Sequence, residues 1–418
     1  MNEDPLGRLA MIDSLLTASH THTLEQLPGL VADSAARAGL HNTAIYLADL
    51  QQDTLHLLTG AGLDAGQTTG DERERAVLPI EDTDAGRAYQ YVRPVLATAA
   101  AGSSRVGGRQ RWWVPLLDGA ERVGVLGADL ATGGSQETED LERLAQLVTL
   151  LVVSKRDQSD SYARLVRTRQ MNVAAEMQWH LLPPLSFTNH GVSVSAVMEP
   201  AYQIAGDTFD YGIADGKLHL SLFDAMGHDV AAGLTANLAS AACRNHRRQN
   251  VALADLGGAI EQTLIEHSLD KKRYLTAVLA ELDLTTGELS WTNHGHHPPV
   301  VIRDNTWFST LHCPPSHPLG THLDLPVTVC REQLHPGDRI LLYTDGITEA
   351  RHPHDNTEFG LERLVDFLIH HTDTGLPVAE VLRRLIHSVM DYHHGHLTDD
   401  ATVLLLEARD SSSKAKHL

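Results

Sequence analysis

A long segment without helix breakers divides this sequence. Between Glu137 and Leu182 there is no proline or glycine, and Pro183-Pro184 ends the segment. Apolar residues recur three or four apart in its first half: Leu141, Leu144, Val148 and Leu151. A helix of this length outside a core predicts a connector between folded regions that pairs two chains as a coiled coil. The alternative is two ordinary helices with an unmarked break near 154–161.

The chain is too long for one ordinary domain. At roughly 100–200 residues per domain, its 418 residues predict two or three. The predicted divisions are a mixed α/β domain over 5–135, the helical linker over 136–184, an α+β domain over 185–410 and a polar tail over 411–418.

The charge balance excludes some classes of partner. The chain has 33 Lys and Arg against 54 Asp and Glu, a net charge of −21. So acidic a chain is a poor match to nucleic acid or to an anionic membrane surface, but it can hold divalent cations. We therefore expect neither a nucleic-acid partner nor a membrane partner.

The cysteines and the N-terminus indicate a reducing compartment. Cys243, Cys313 and Cys330 are widely spaced and form no CxxC pair, so we expect neither a disulfide framework nor a thiolate zinc site. The first residues lack a basic segment followed by an apolar one, and no run of about 18 apolar residues occurs anywhere. The sequence predicts a soluble cytoplasmic protein.

The first domain resembles a GAF sensory domain. Hairpins are predicted over 43–59 and 111–129, the second about Asp118-Gly119. The phrase VPLLDGAERVGVLGADL, residues 114–130, carries most of the resemblance. The domain has no cysteine, which excludes covalent tetrapyrrole attachment and thiol redox sensing. A small-molecule ligand and a purely dimerising role both remain open for it.

In the second domain, acids stand beside glycine or at strand ends. The four segments are Ile204–Asp207 with Asp210, Phe223–His228 with Asp224, Tyr343–Glu349 with Asp345, and Thr398–Thr402 with Asp399 and Asp400. A carboxylate at the end of a buried strand is costly unless a cation or hydrogen bonds compensate it. Brought together, such acids would form an oxygen-rich site for Mg²⁺ or Mn²⁺, and two ions could aim a shared water at phosphorus. Spacing alone does not show that they converge.

Read in order, these segments resemble the bacterial type 2C-like protein serine/threonine phosphatases, which include the stage II sporulation protein E family and the sigma-regulator phosphatases. The matching motifs are AAEMQWHLLP (174–183), IAGDTFDY (204–211; family VGGDFYDY), FDAMGHDVAA (223–232; DVSGHGxxAA), TNHGHHP (292–298; NAGHNP), PLG (318–320), LHPGDRILLYTDGITE (334–349), FGLERL (359–364) and DDATVLL (399–405). The resemblance implies a four-layer α-β-β-α sandwich behind the helical linker.

The resemblance also implies the roles of individual residues. Asp207, Asp224 and the carbonyl of Ala225 would bind one metal ion. Asp224 would bridge to a second ion, which Asp345 and Asp399 would hold. The cofactor would be two Mn²⁺ or Mg²⁺ ions.

Nearby acids and histidines are assigned supporting roles. We expect Asp210 and Asp400 to support the site, with direct ligation left open. His228 and His296 fall inside motifs; His228 could donate a hydrogen bond near the site, but we favour a packing or loop-fixing role for it. Adjacent histidines point apart on a helix or strand, which argues against a histidine zinc hydrolase.

Three positions depart from the family motifs. Ala205 replaces a glycine, Asp229 replaces a glycine at an expected helix start, and His294 replaces an alanine. An acid at a helix start suits the helix dipole. None of the three removes an expected metal ligand.

The sequence thus predicts a phosphoserine/phosphothreonine phosphatase that uses metal-activated water and is controlled by its N-terminal domain. Its expected substrate is a phosphorylated regulatory protein of the anti-sigma-factor-antagonist type, and a homodimer is expected through the linker. The rival hypothesis is a non-catalytic pseudophosphatase that serves as a signalling scaffold.

Overall fold

The computed structural model describes residues 5–60, 76–98, 109–203, 206–227, 229–267, 273–372, 375–393, 397 and 399–409. The chain separates into two compact units, Met1–Gln170 and Met171–Leu418. Ala205, His228 and the predicted tail 411–418 lie outside the described residues. Among the described helices, none combines the length and the apolar composition needed to cross a membrane.

Unit 1 is built on one antiparallel sheet. Its strands are β1 (His41–Ala48), β2 (Thr54–Leu57), β3 (Val77–Pro79), β4 (Val95–Leu96), β5 (Gln110–Asp118) and β6 (Glu121–Leu130), in the order β3-β2-β1-β6-β5-β4. Its helices are α1 (Pro5–Ser19), α2 (Leu27–Ala36), α3 (Asp84–Tyr91), α4 (Ser135–Arg156) and α5 (Asp160–Val166), with a 3-10 turn at Leu24–Gln26. Both predicted hairpins are confirmed, as β1–β2 and β5–β6.

The predicted continuous helix over 137–182 is wrong. Three helices occupy this segment: α4, α5 and, in unit 2, α6 (Val173–Leu181). Ser159 accepts a hydrogen bond from Tyr162 N, and Asn172 accepts one from Ala175 N, so each side chain caps the start of a new helix. The apolar face expected to pair two chains instead packs into the core of unit 1, where Leu141, Leu144 and Val148 are fully buried.

Unit 2 contains two antiparallel sheets. The first has the order β15-β12-β11-β10-β9 and the second β14-β13-β16-β17-β8-β7. The strands are β7 (Ser186–Thr188), β8 (Val192–Glu199), β9 (Asp207–Ala214), β10 (Lys217–Ala225), β11 (Leu275–Asp283), β12 (Glu288–His294), β13 (Val300–Arg303), β14 (Thr306–Thr310), β15 (Cys330–Gln333), β16 (Arg339–Tyr343) and β17 (Ala401–Ala408). Besides α6, the helices are α7 (Val230–Arg248), α8 (Leu253–His267), α9 (Asp345–Thr348), α10 (Gly360–Thr372) and α11 (Val378–Tyr392).

Three buried clusters hold unit 2 together. Residues of both sheets, among them Phe209, Trp291 and Leu404, share the largest cluster. In a second cluster α7 and α8 pack on β10 and β11, and in a third α10 and α11 pack on β8, β16 and β17. Because alternate side chains of a strand point to opposite faces, a sheet covered on both sides requires nearly all-apolar strands such as Arg339–Tyr343.

One covalent contact contradicts the sequence interpretation. Cys313 and Cys330 form a disulfide, with their Cα atoms 5.8 Å apart, while Cys243 is free and buried. The expectation of no disulfide is wrong because the chain folds back between the two cysteines, which are 17 positions apart, so that Cys313 meets the first residue of β15.

Candidate metal centre

Two predicted ligands face each other on neighbouring strands. In the antiparallel pair β9–β10, Asp207 is directly opposite Asp224. Side chains at opposed positions lie on the same face of the sheet, and like charges placed so are destabilising. Asp207 is 1% exposed, and burial followed by repulsion from Asp224 and Asp400 raises its pKa well above the usual range.

The other two predicted ligands lie beside this pair. Asp345 begins α9 directly behind β16, and Asp399 precedes the neighbouring strand β17. Burial, then repulsion from Asp345, Asp399 and Asp400, raises the pKa of Asp224 to about 7. Burial, then repulsion from Asp399, raises the pKa of Asp345. The four aspartates therefore form one electrostatically coupled cluster.

The donor set of this cluster fits a hard divalent cation. Apart from burial, the causes that raise the pKa of Asp224 are all neighbouring carboxylates. A cation bound beside Asp224 would offset this repulsion. Carboxylate and carbonyl oxygens are the ligands of Mg²⁺ and Mn²⁺. In the part of the chain that the structure describes, no group of three or more His, Cys, Asp or Glu side chains has the geometry to coordinate an ion.

The main chain of Ala225 lies close to the loop before Asp207. Ala225 N donates to Gly206 O at 3.0 Å. A Cβ atom on Gly206 would stand 2.7 Å from the carbonyl oxygen of Ala225 and 2.9 Å from that of Gly227. Glycine at 206 therefore allows these two main-chain segments to meet beside the acids.

The two secondary acids have other partners. Asp400 is 4% exposed, and its Oδ2 accepts hydrogen bonds from Gly206 N (2.5 Å) and Asp207 N (3.3 Å). Asp210 is 1% exposed and forms ion pairs with Arg244 (2.6 Å) and Arg247 (2.8 Å). These contacts suit the supporting roles expected of both acids.

Two residues that support Asp207 were missed in the sequence. Thr344 Oγ1 donates to Asp207 Oδ2 at 2.6 Å and accepts from Thr402 N at 2.9 Å. Gln178, fully buried on α6, donates through Nε2 to the carbonyl oxygen of Asp207. Both stood inside quoted motifs, Gln178 in AAEMQWHLLP and Thr344 beside Asp345, so the motifs contained a signal that was not used.

His296 bonds to two neighbouring elements through its ring nitrogens. Hydrogen bonds join its Nδ1 to Thr276 Oγ1 (2.6 Å) and its Nε2 to Tyr343 O (3.1 Å). Burial, with a smaller contribution from His297, lowers its pKa to about 3, so the ring is neutral. His296 therefore connects β11 to the strand that leads to Asp345.

Two of the three motif departures can be placed. Asp229 caps α7 by accepting from Ala232 N at 2.9 Å and pairs with Arg273 at 2.7 Å, as expected of an acid at a helix start. His294 is buried against α8, where a Cβ atom on Gly257 would stand 2.3 Å from its ring. The larger side chain thus fits because the facing helix has glycine.

The fold and the acid cluster define a class of domain: helices flanking antiparallel sheets, with carboxylates gathered at strand ends. Residues 214–409 match the family model described as Stage II sporulation protein E (SpoIIE). That range includes Asp224, Asp345 and Asp399, whereas Asp207 and Gln178 precede it. The match covers less than half of the chain and lies where the sequence predicted a phosphatase domain.

Curated relatives and a solved structure also show similarity to this chain. The chain is 22% identical over 251 residues to the phosphoserine phosphatase RsbP of Bacillus subtilis, covering 59% of each chain. It is 22% identical over 245 residues to the phosphoserine phosphatase RsbU of the same organism, covering 57% of this chain and 70% of the relative. The SiaA-PP2C domain of Pseudomonas aeruginosa has 21% identity and a TM-score of 0.47, covering 56% of this chain and 94% of that domain. The chain thus spans about three fifths of the length of RsbP.

Proposed function

We propose that the chain is a metal-dependent protein serine/threonine phosphatase whose chemistry resides in unit 2. The observation that carries this proposal is the coupled cluster of Asp207, Asp224, Asp345 and Asp399 at strand ends, in which burial and repulsion raise the pKa values of the first three. Acids with pKa values raised in this way are typical of functional sites. A two-sheet unit with such a cluster supports hydrolysis of a phosphate ester.

The proposed ligand assignment follows the positions of the acids. Asp207, Asp224 and the carbonyl of Ala225 would hold one Mn²⁺ or Mg²⁺ ion, while Asp224, Asp345 and Asp399 would hold a second. When bound, this pair would supply a water nucleophile of lowered pKa and would neutralise the phosphoryl oxygens.

Surrounding residues keep the acids in place. Thr344 fixes one oxygen of Asp207, and Asp400 holds the two main-chain N–H groups at Gly206 and Asp207. Such contacts limit the rotation of Asp207, which favours pre-organised ligand geometry. The attacking water would come from solvent, and the serine or threonine would leave with its hydroxyl restored, without a phosphoenzyme.

Control by unit 1 is the regulatory part of the proposal. We assign unit 1 to a GAF-like sensory domain and the architecture of unit 2 to the four-layer α-β-β-α arrangement. Gln178 on α6 contacts the main chain of Asp207, so a shift of α6 would move a proposed ligand directly. This contact supports a signal that acts near 177–182 by biasing a two-state element.

The proposed substrate is phosphoserine or phosphothreonine on a regulatory protein of the anti-sigma-factor-antagonist type. The support is that the relatives RsbP and RsbU are both described as phosphoserine phosphatases. Dephosphorylation of purified phosphorylated candidates of this type tests the assignment. A small-molecule ligand of unit 1 remains part of the proposal.

We also propose that the chain forms a homodimer, and that its contact surface differs from the coiled coil expected from the sequence. Leu9 and Leu16 on α1 are 64% and 52% exposed, and Leu150 on α4 is 59% exposed. Helices α1 and α4 contact each other, so these leucines belong to one region of unit 1. Exposed apolar groups of this kind are typical of protein–protein contacts.

The alternative function is a signalling scaffold that binds a phosphoprotein without turnover. One observation favours it: the acids do not form a closed metal cage among the described residues. The two functions differ in a single measurement, metal-dependent turnover.

The test is hydrolysis of an aryl phosphate with Mn²⁺ by the wild type and by Asp224→Asn. We expect Mn²⁺-dependent turnover that the substitution lowers by about a hundredfold or more, in the range seen when a group that stabilises charge in the transition state is removed. The matched control is Asp215→Asn, an exposed position in the turn that joins β9 to β10. Wild-type protein without turnover on any phosphorylated substrate, or a fully active Asp224→Asn, would contradict the enzyme.

A further inference from the structure

The peptide unit that joins Ala225 to Met226 has a fixed direction. Met226 N donates to Tyr274 O, directly before β11, at 3.1 Å. Because a trans peptide unit is planar, its C=O and N–H groups point in opposite directions. The carbonyl of Ala225 therefore points away from β11, and its oxygen would lie 2.7 Å from a Cβ atom on Gly206. This carbonyl is the main-chain ligand of the proposed metal centre.

The next peptide unit of this loop is held by a side chain. Arg273, which stands two residues before β11, donates through Nη1 to the carbonyl oxygen of Met226 at 2.9 Å. The same nitrogen would lie 3.1 Å from a Cβ atom on Gly227, so the guanidinium lies directly against the loop. Consecutive peptide units of the loop that follows Asp224 are thus anchored to one short segment, residues 273–274.

Asp229 holds the guanidinium in turn. Its Oδ2 accepts from Arg273 Nη2 at 2.7 Å, and its Oδ1 accepts from Ala232 N at 2.9 Å in the first turn of α7. One carboxylate thus connects the arginine to the start of a helix. The side chain of Arg273 is only 15% exposed, so the pair loses less to solvent screening than a fully exposed one would.

The charge of Asp229 answers a difficulty that Arg273 creates. A positive side chain beside a cation site would weaken binding of the ion, because like charges repel. The carboxylate of Asp229 neutralises the guanidinium and reduces that cost. The family motif has glycine where this chain has Asp229, and glycine could not supply the counter-charge. The pair is therefore a feature of this chain's own loop.

We propose that Arg273 and Asp229 are positioning residues that fix the carbonyl of Ala225 as a metal ligand. Arg273 holds the loop after Asp224 in the shape that keeps this carbonyl on the side of the acids, and Asp229 acts through Arg273. The inference rests on the proposed function, because it needs a divalent cation at the acid cluster. Neither side chain touches the ion or the substrate.

The experiment measures Mn²⁺ binding to the metal-free full chain by titration calorimetry, independently of turnover. Arg273→Met keeps the length of the side chain but removes its donors. We expect it to raise the dissociation constant for Mn²⁺ about tenfold, the lower end of the effect of contacts that orient metal ligands. The matched control is Arg331→Met on the edge strand β15, which removes only an ion pair with Glu288 and should leave Mn²⁺ binding unchanged.

Asp229→Asn separates the two roles of the aspartate. Asparagine is as good an N-cap as aspartate, so α7 keeps its cap while Arg273 loses its counter-charge. We expect a loss of Mn²⁺ affinity of about threefold, in the range of a single partly exposed ion pair. If Asp229 acts through Arg273, the double variant should bind Mn²⁺ no more weakly than Arg273→Met alone.

The response to excess metal distinguishes positioning from a general effect on the fold. At saturating Mn²⁺, kcat of Arg273→Met on an aryl phosphate should return to within about twofold of the wild-type value, since all the proposed ligands are still present. A cooperative unfolding transition of the metal-free variant would show that its weaker binding of Mn²⁺ is not a loss of fold. If Arg273→Met does not fold, unchanged Mn²⁺ affinity in Asp229→Asn overturns the positioning role.

The outcomes separate this inference from the function on which it rests. Wild-type Mn²⁺ affinity in Arg273→Met, additive losses in the double variant, or an equal loss in Arg331→Met would overturn the positioning role alone. Wild-type protein that binds Mn²⁺ without turnover of any phosphorylated substrate would overturn the enzyme but not the positioning role. Wild-type protein that binds no Mn²⁺ would overturn both.

Discussion

At the scale of single residues, the most informative contact is the one between Asp207 and Asp224. Their positions opposite each other on β9 and β10 place two carboxylates on one face, with Asp207 buried and Asp224 half-buried. An arrangement that opposes folding persists in natural proteins mainly where function requires it. Here a cation that enters the cluster would convert repulsion into attraction.

This repulsion predicts a pH dependence for the metal-free protein. The folded pKa of Asp224, about 7, lies above the usual aspartate value of 3.8, so the folded state binds the proton more tightly. Stability from this group is therefore full below about pH 4 and is lost as the pH rises through 7. With EDTA present, we expect Asp224→Asn to exceed the wild type in unfolding free energy at pH 8 by on the order of 1–3 kcal/mol.

Denaturant unfolding at pH 8 and pH 5 measures this difference. The advantage of Asp224→Asn should shrink at pH 5, and Asp215→Asn should behave as the wild type at both values. A variant that is less stable than the wild type at pH 8 would refute the repulsion. The same variant is expected to lack phosphatase activity, so its inactivity would not result from unfolding.

The sequence pattern was sufficient to select some residues of the site but not others. Asp207, Asp224, Asp345 and Asp399 could be selected because each stands beside glycine or at a strand end, where an acid conflicts with the apolar pattern and marks a functional position. Gln178 and Thr344 could not be selected in this way. Thr344 supports the side chain of Asp207, and Gln178 supports its main-chain carbonyl. Both contacts depend on how α6 and β16 pack, which the local sequence pattern does not show.

At the scale of elements, local signals predicted strands better than helix ends. Alternation and the Asp118-Gly119 turn were sufficient for β5–β6 because a two-residue turn fixes the register of its strands. The segment 137–182 failed because Ser159 and Asn172 were treated as ordinary helix residues, although both are good N-cap types. The disulfide was missed because pairing of Cys313 with Cys330 depends on the return of a long loop.

The contact between α8 and β12 predicts a compensating pair of substitutions. Gly257→Ala would place a methyl group 2.3 Å from the ring of His294, which is 1% exposed and cannot move aside freely. We expect Gly257→Ala alone to lower the unfolding free energy by about 1–3 kcal/mol. Adding His294→Ala, the alanine of the family motif, should recover much of that loss.

A double-mutant cycle measured by denaturant unfolding tests this coupling. The control is Gly258→Ala, since nothing lies within 4 Å of a Cβ atom at that neighbouring helix position. Additive effects of Gly257→Ala and His294→Ala would show that the two positions do not interact.

At the scale of the whole molecule, the chain contains two units with separate cores, Met1–Gln170 and Met171–Leu418. The boundary lies inside the segment predicted as a linker, and the segment contributes helices to both units. Its apolar residues therefore stabilise unit 1 and are not available as a coiled-coil seam. Periodicity indicated a buried face correctly, but it could not tell whether the partner was another chain or the same one.

The proposed homodimer leads to a prediction at this scale. Because Leu9, Leu16 and Leu150 expose much of their surface, we expect Leu16→Lys with Leu150→Lys to raise the dimer dissociation constant at least about tenfold, a change of about 1.4 kcal/mol. Sedimentation equilibrium over a range of concentrations measures it. Leu323→Lys, a 60% exposed leucine of unit 2, is the matched control. A wild-type protein that sediments as a monomer at every concentration would contradict the dimer.

The hairpin β9–β10 has different counter-charges at different positions. Asp210 is neutralised by Arg244 and Arg247, which are part of the chain, whereas under the proposed function Asp207 and Asp224 would be neutralised by an ion that can dissociate. Chelation would therefore leave the region around Asp210 protected and loosen the end that carries Asp207 and Asp224. Amide hydrogen exchange along this one hairpin would consequently report the local concentration of free divalent metal, since protection would vary only at that end.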